Sequence, residues 1–161
     1  MSRRVPYPST GVFRDATPYR IGPVMKKEIR VAKEVAEDEF NRFLDVMEID
    51  ADSSNMNDED RQSFEQQKSR VVNAIMYGDM VINESGEPVY TPSRSENKDA
   101  ITFHEPTGAS LMAMDMKKKT QDVSKMFATM ADFTATPVKV FAKMKIKDLN
   151  VCLAVTTLFL G

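Results

Sequence analysis

Apolar side chains recur at Met25, Ile29, Ala32, Ala36, Phe40, Phe43 and Met47, at steps of three and four residues. That spacing puts them on one face of an α-helix, which completes a turn every 3.6 residues. The pattern predicts an amphipathic helix of about 24 residues, opening at Pro23 and closing near Met47. Proline suits the first turn, where its missing N–H would have had no partner. Val24, Val31 and Val35 widen the stripe, and Lys, Glu, Asp and Arg fill the opposite face. Such a stripe packs into the chain's own core or against a partner helix.

A polar break from Ile49 to Asn57 ends this element. Asn57 is placed to cap a second helix, with Asp58, Glu59 and Asp60 where the N-terminal dipole favours negative charge. Phe64, Val71, Val72, Ile75 and Met76, with the aliphatic stem of Lys68, give its apolar side as far as Tyr77. Gly78 then terminates it. Residues 24–78 thus read as a helical hairpin. Met80–Ile82, a turn at Glu84-Ser85-Gly86-Glu87, and Val89–Thr91 read as a β-hairpin, in which Pro88 and Pro92 confine the second strand to an edge. After a polar loop from Ser93 to Asp99, Ala100–His104 returns as a third strand. Thr107 can cap a helix over roughly 108–116, and a further helix fits Asp122–Phe133, with Val123, Met126, Phe127, Met130 and Phe133 on one face. Thr136-Pro137 reads as cap and first turn for Val138–Met144, and the last helix spans about 147–160. The expected fold is mainly α with a small antiparallel β-sheet, an α+β arrangement. It has an extended N-terminal arm at 1–23, the hairpin of long amphipathic helices at 24–78, and a small sheet plus a C-terminal helical bundle at 79–161. The core is expected in the segment from Ile101 onward, with Phe103, Leu111, Phe127, Phe141, Leu149 and Phe159 contributing.

The arm carries Pro6, Pro8, Pro18 and Pro23, which bar continuous helix, yet Val5, Tyr7, Val12, Phe13, Tyr19 and Ile21 are spread through it. It reads either as a disordered terminus or as an arm that docks through its aromatic anchors. Charge is nearly balanced over the 161 residues, at a formal −2, which argues against a generic nucleic-acid binder. The balance hides segregation. Residues 1–30 are basic, acids dominate from Glu34 to Glu65, and the C-terminal third turns basic through Lys117-Lys118-Lys119, Lys125, Lys139, Lys143, Lys145 and Lys147. These are solvated faces, or complementary surfaces that join like chains head to tail. No N-terminal apolar region reads as a secretory signal, and Leu149–Leu160 is too short for a membrane span of roughly twenty residues. Cys152, the one cysteine, excludes an internal disulfide and reads as a small buried hydrophobe.

Catalytic and metal patterns fail on inspection. Asp50, Asp52 and Ser54 could open a calcium loop, but the position that needs Gly is Asn55 and the bidentate Glu is Arg61. His104 is the only histidine, and with one distant thiol it forms no usual zinc set. A Cys152–His104 nucleophilic pair would need a thiolate inside an apolar helix, and His104 reads as a strand residue. There is no glycine-rich phosphate loop and no nucleophile elbow. Neither cofactor nor metal is expected, and the chain does not read as an enzyme. The twelve methionines suit core gap-filling or an adaptable binding surface.

Three stretches carry a family resemblance. They are Ile101-Thr102-Phe103-His104-Glu105-Pro106-Thr107, then Ala109-Ser110-Leu111-Met112-Ala113-Met114-Asp115, and Lys147-Asp148-Leu149 with the Leu158-Phe159-Leu160-Gly161 end. Over about residues 72–161 the chain resembles the tail assembly chaperones of long-tailed bacteriophages, the Mu-like family in particular. In that family a short strand leads through a Glu-Pro-Thr turn into helices, and a helix opening on a charged residue and Asp closes the chain. Residues 1–70 are an extension relative to it. The resemblance implies a host-cytoplasmic assembly factor that binds the tape measure protein, tail tube subunits or both during tail morphogenesis. Many members of that family are made in two lengths by a ribosomal frameshift. The alternative is a structural virion protein, a tail or head–tail component that threads its arm onto neighbouring subunits. Either way the expected partners are tail proteins or like subunits, with self-association, and neither a specific nucleic acid nor a membrane. The expected partner-binding residues are Tyr7, Phe13 and Tyr19 of the arm and Met25, Ile29, Phe40 and Phe43 of the first helix.

Overall fold

A computed structural model describes residues 27–115 and 122–160. The arm at 1–23, with Tyr7, Phe13 and Tyr19, lies outside the described residues, as do Pro23, Met25 and the Lys117–Lys119 run. The fold is mainly helical with a small three-stranded antiparallel sheet. In chain order it runs α1 (Lys33–Val46), one 3-10 turn (Ser53–Asn55), α2 (Asp58–Met76), β1 (Met80–Ile82), β2 (Pro88–Tyr90) and β3 (Ile101–Thr102). Then follow α3 (Gly108–Asp115), α4 (Asp122–Thr134), α5 (Val138–Ala142) and α6 (Ile146–Leu160).

The first helix starts later than its apolar stripe predicts. Residues 27–32 are not helical: the Arg30 and Val31 N–H groups both donate to the Met76 carbonyl, at 2.8 and 3.0 Å, and Ala32 is extended. Those bonds satisfy a carbonyl at the C-terminal end of α2 and hold this stretch across it. Ile29 and Val35 are exposed, and Val31 packs against the core. The second helix follows its sequence signals. The Asn57 side chain accepts from the Asp60 N–H at 2.8 Å, and Gly78 sits just past the end at φ +81°. Two other helices end without glycine. Glu48 after α1 and Ala135 after α4 take positive φ, while Ile49 N–H reaches Leu44 O and Thr136 N–H reaches Ala131 O. These reverse bonds satisfy terminal carbonyls and hold a non-glycine residue in a conformation it disfavours.

The strand order is β1-β2-β3, so β2 is central and the expectation that its prolines keep it at an edge is corrected. Pro88 is the first residue of the strand and lends the ladder only its carbonyl, which accepts from the Phe103 N–H at 2.9 Å. A central strand tolerates proline at that position because no N–H is required there. Met80, Ile82, Tyr90 and Ile101 face the core, and Val81 faces solvent. At the hairpin turn Gly86 has φ +80°, and a Cβ there would lie 2.6 Å from Val46 Cγ1. Gly86→Ala is therefore expected to lower stability by roughly 1–3 kcal/mol. A denaturation midpoint equal to that of the unaltered chain would refute this.

Core residues come from both halves of the chain. Ala36, Phe40, Phe43, Leu44, Val71 and Ile75 belong to one cluster with Phe103, Met130, Phe133, Phe141, Cys152 and Val155. The expectation of a core built from Ile101 onward is too narrow, since α2 packs along α6. Of the expected core residues, Phe103 and Phe141 are fully buried, and Phe127, Leu149 and Phe159 pack against the cluster half-buried. The Leu111 side chain lies outside the described set. Val123 is exposed, which corrects its place on the apolar face of α4. Before α5, Pro137 is the N-cap residue, and Thr136 Oγ1 turns back to the Thr134 carbonyl instead of capping. Buried threonines satisfy themselves the same way: Thr129, Thr134 and Thr156 each donate to the carbonyl four residues earlier.

Candidate functional site

The most organised polar cluster surrounds Asp148, in the first turn of α6 and almost fully buried. Its Oδ1 accepts from the Tyr90 hydroxyl at 2.7 Å and from the Ser93 N–H at 3.2 Å. Its Oδ2 accepts from Arg94 N–H at 3.0 Å, Ser95 N–H at 2.8 Å and Ser95 Oγ at 2.7 Å. Ser95 Oγ in turn accepts from the Lys145 N–H just before α6. The polar loop after β2 is thus wound onto one carboxylate, and through it the sheet is tied to the last helix. Burial opposes ionisation of Asp148, but the bonds from Ser95, Tyr90, Arg94 and Ser93 outweigh it and hold its carboxyl below the usual range. Burial, then Asp148, pushes the Tyr90 phenol far up, so Tyr90 stays a donor.

Two grooves flank this loop. One is lined by Lys27, Arg70, Asn73, Tyr77, Arg94 and Lys147, and the other by Lys139, Lys143 and Lys145 with Glu96 and Asn97. In the first, Lys27 pairs with Asp79, donates to Ser93 Oγ and lies over the Tyr77 ring. Among the described residues, Arg70, Arg94 and Lys147 form no ion pair.

The opposite end of the molecule is acidic. α2 and α6 run antiparallel: Arg70 and Tyr77 meet Lys147 and Asn150, whereas Phe64 and Gln67 meet Thr157 and Leu158. Arg70 of the basic groove and Asp58 at the N-terminus of α2 are therefore separated by about 18 Å of helix. Asp45, Glu48, Asp50, Asp52, Asp58, Glu59 and Asp60 are exposed around that far end. The two arginines nearby are engaged internally. Arg42 forks onto Glu39 and the Ile82 and Asn83 carbonyls, and Arg61 holds Asp58 and the Ser53 and Met56 carbonyls. Arg61 thus closes the loop whose acids resemble the start of a calcium site, while Asp50 and Asp52 accept from backbone N–H groups two residues on. Among the described residues no three of His, Cys, Asp and Glu are placed to share a metal ion, and no helix is long and apolar enough to cross a membrane.

The expected partner-binding residues separate. Tyr7, Phe13, Tyr19 and Met25 lie outside the described residues, and Ile29 is exposed. Phe40 and Phe43 are fully buried against other elements of the chain, so they are core residues, which corrects their assignment to a partner face. His104 is exposed with its Nδ1 at 2.7 Å from Glu87, whereas Cys152 is buried with its thiol beside Met144. Burial, with Asp148 nearby, pushes the Cys152 thiol up, away from a nucleophilic thiolate. Sequence reasoning missed the Asp148 hub. Its only trace was Ser93-Arg94-Ser95, which reads as part of an ordinary polar loop. No family model matches the chain, and no curated protein or solved structure matches it.

Proposed function

We propose that this protein is a non-enzymatic assembly factor that acts by binding other proteins, and that it serves as a phage tail assembly chaperone acting on tape measure or tail tube proteins in the host cytoplasm. The observation that carries the binding role is the contrast between interior and surface. The buried titratable groups are absorbed in structure: Asp148 accepts five hydrogen bonds, and Cys152 is sealed in the core. The outside instead presents opposite charges at two ends of one rigid helix pair. Charge arranged this way steers protein association and fixes its register. The phage assignment rests on the resemblance. Two local features support it: β3 passes through Glu105-Pro106-Thr107 into α3, where Thr107 Oγ1 accepts the Ala109 N–H, and α6, which begins at Ile146, carries Lys147-Asp148 in its first turn.

A structural virion role is the second reading, favoured by the complementary ends, because a repeating assembly reuses one contact many times. Co-purification with the tape measure and tube proteins of the same genome tests the first reading, and mass spectrometry of purified virions separates the two. A chaperone is expected to bind at least one of these proteins and be absent or rare in virions. A structural protein is expected there in many copies. Failure to bind any tail protein, with absence from virions, would overturn both.

A further inference from the structure

We propose that the groove formed by Arg70, Arg94 and Lys147 is a docking site for the acidic end of a second copy of this chain, joining molecules head to tail. This gives the self-association expected above a specific surface, and its test does not involve tail proteins, so the two can fail separately.

Three observations support the groove as a receptor. Its cations converge from three elements that are held rigidly together, α2, the 93–95 loop and the first turn of α6. Arg94 stands on a loop whose backbone is tied down by Asp148, so little ordering is needed when a carboxylate arrives. Its local carboxylates are already engaged, Asp79 with Lys27 and Asp148 with the loop, which leaves a net positive surface.

The occupant follows from charge complementarity within the same chain. Residues 45–60 hold seven carboxylates, Asp45, Glu48, Asp50, Asp52, Asp58, Glu59 and Asp60, and neither Lys nor Arg. All seven are exposed. They lie at the other end of the α2/α6 pair, too far to reach the groove of their own molecule without unfolding. A patch that complements a distant patch on an identical molecule makes a heterologous contact, which extends into a filament or closes into a ring. The contact is predominantly ionic and near the surface, so salt should weaken it.

The test is sedimentation of the full chain with paired charge reversals. One variant carries Arg70→Glu and Arg94→Glu. The other carries Asp45→Lys and Glu48→Lys, placed where the C-terminal dipole of α1 favours cations. The unaltered chain should associate at low salt, with affinity falling about tenfold or more between roughly 0.05 and 0.5 M salt. Each variant alone should sediment as a monomer. The two mixed should associate again, because the native acidic end of one meets the native groove of the other and, at the second junction, reversed cations meet reversed carboxylates. Circular dichroism matching the unaltered chain establishes that each variant is folded. If a variant does not fold, the salt series on the unaltered chain still decides, since salt-independent association overturns the proposal. So does a monomer at low salt, association of either variant like the unaltered chain, or loss of association only when residues 1–26 are removed, which would assign the contact to the arm.

Discussion

Asp148→Ala is expected to destabilise the protein by about 3–5 kcal/mol, a large share of the 5–15 kcal/mol typical of a domain. The loss comes from what the carboxylate leaves behind. The N–H groups of Ser93, Arg94 and Ser95 and the hydroxyls of Tyr90 and Ser95 all point at it, the Tyr90 and Ser95 donors from buried positions and those of Ser93 and Arg94 from part-buried ones. A buried donor without an acceptor costs roughly 1–3 kcal/mol, and water entering the gap offsets part of the sum. The isosteric Asp148→Asn should not rescue it. Hydroxyls can rotate, but backbone N–H groups cannot, and at least one faces each carboxylate oxygen: Ser93 at Oδ1, Arg94 and Ser95 at Oδ2. The amide nitrogen therefore meets a donor in either orientation. Urea midpoints measure both variants, and an unchanged midpoint for Asp148→Asn would refute the hub.

The hub also has a pH signature with a definite sign. The folded carboxyl is held below its ordinary value, so the folded state binds this proton more weakly than the unfolded chain does. Its stabilisation is fully present above the unfolded value near 3.9 and is lost as pH falls from there through the folded value. Tyr90 acts on the other side. Its raised phenol must stay protonated to donate, and its contribution is lost as pH rises past roughly 10 toward the folded value. Asp148→Asn should flatten the acid limb of the stability curve.

Elements with local chemical signals were legible from sequence. Asn57 with its three acids fixes the start of α2, Gly78 its end, and Glu84–Glu87 the hairpin turn, because each feature acts on backbone groups within a few residues. Errors arose where a distant group decided. The periodicity from Met25 continues through Ile29, but the Met76 carbonyl takes the Arg30 and Val31 N–H groups and keeps that stretch out of the helix. Pro88 reads as an edge residue only while the position of β3 is unknown. Glu48 and Ala135 end helices without a glycine to mark them. The hub was the least legible of all, since a lone Asp within an apolar helix says nothing of the loop 53–55 residues earlier that it binds. Charge segregation was visible as blocks, but only the antiparallel pairing of α2 and α6 sets the blocks at opposite ends.

Phe43→Ala is expected to cost about 3–5 kcal/mol, and the result decides between two roles for α1. Phe43 is fully buried and sits mid-way in a relay of rings. Its ring lies 6.2 Å from Phe40 and 5.5 Å from Phe159, both edge to face. Phe159 continues to Phe133 at 5.6 Å, and Phe133 to Phe103 at 6.0 Å. One side chain therefore couples α1 to α6, and through α6 to α4 and the strand end. Edge-to-face pairs contribute beyond their buried area, and a tightly packed site collapses poorly around the missing ring. If α1 were a detachable partner helix, truncating Phe43 would leave the melting transition of the remaining fold nearly unchanged and weaken only association. If α1 is part of the core, the midpoint falls sharply. Ile29→Ala, at an exposed position, should then stay within about 0.5 kcal/mol. Denaturant titrations of the two variants side by side separate the cases. A large Ile29 effect with a small Phe43 effect would return the apolar stripe to a partner and refute its place in the core.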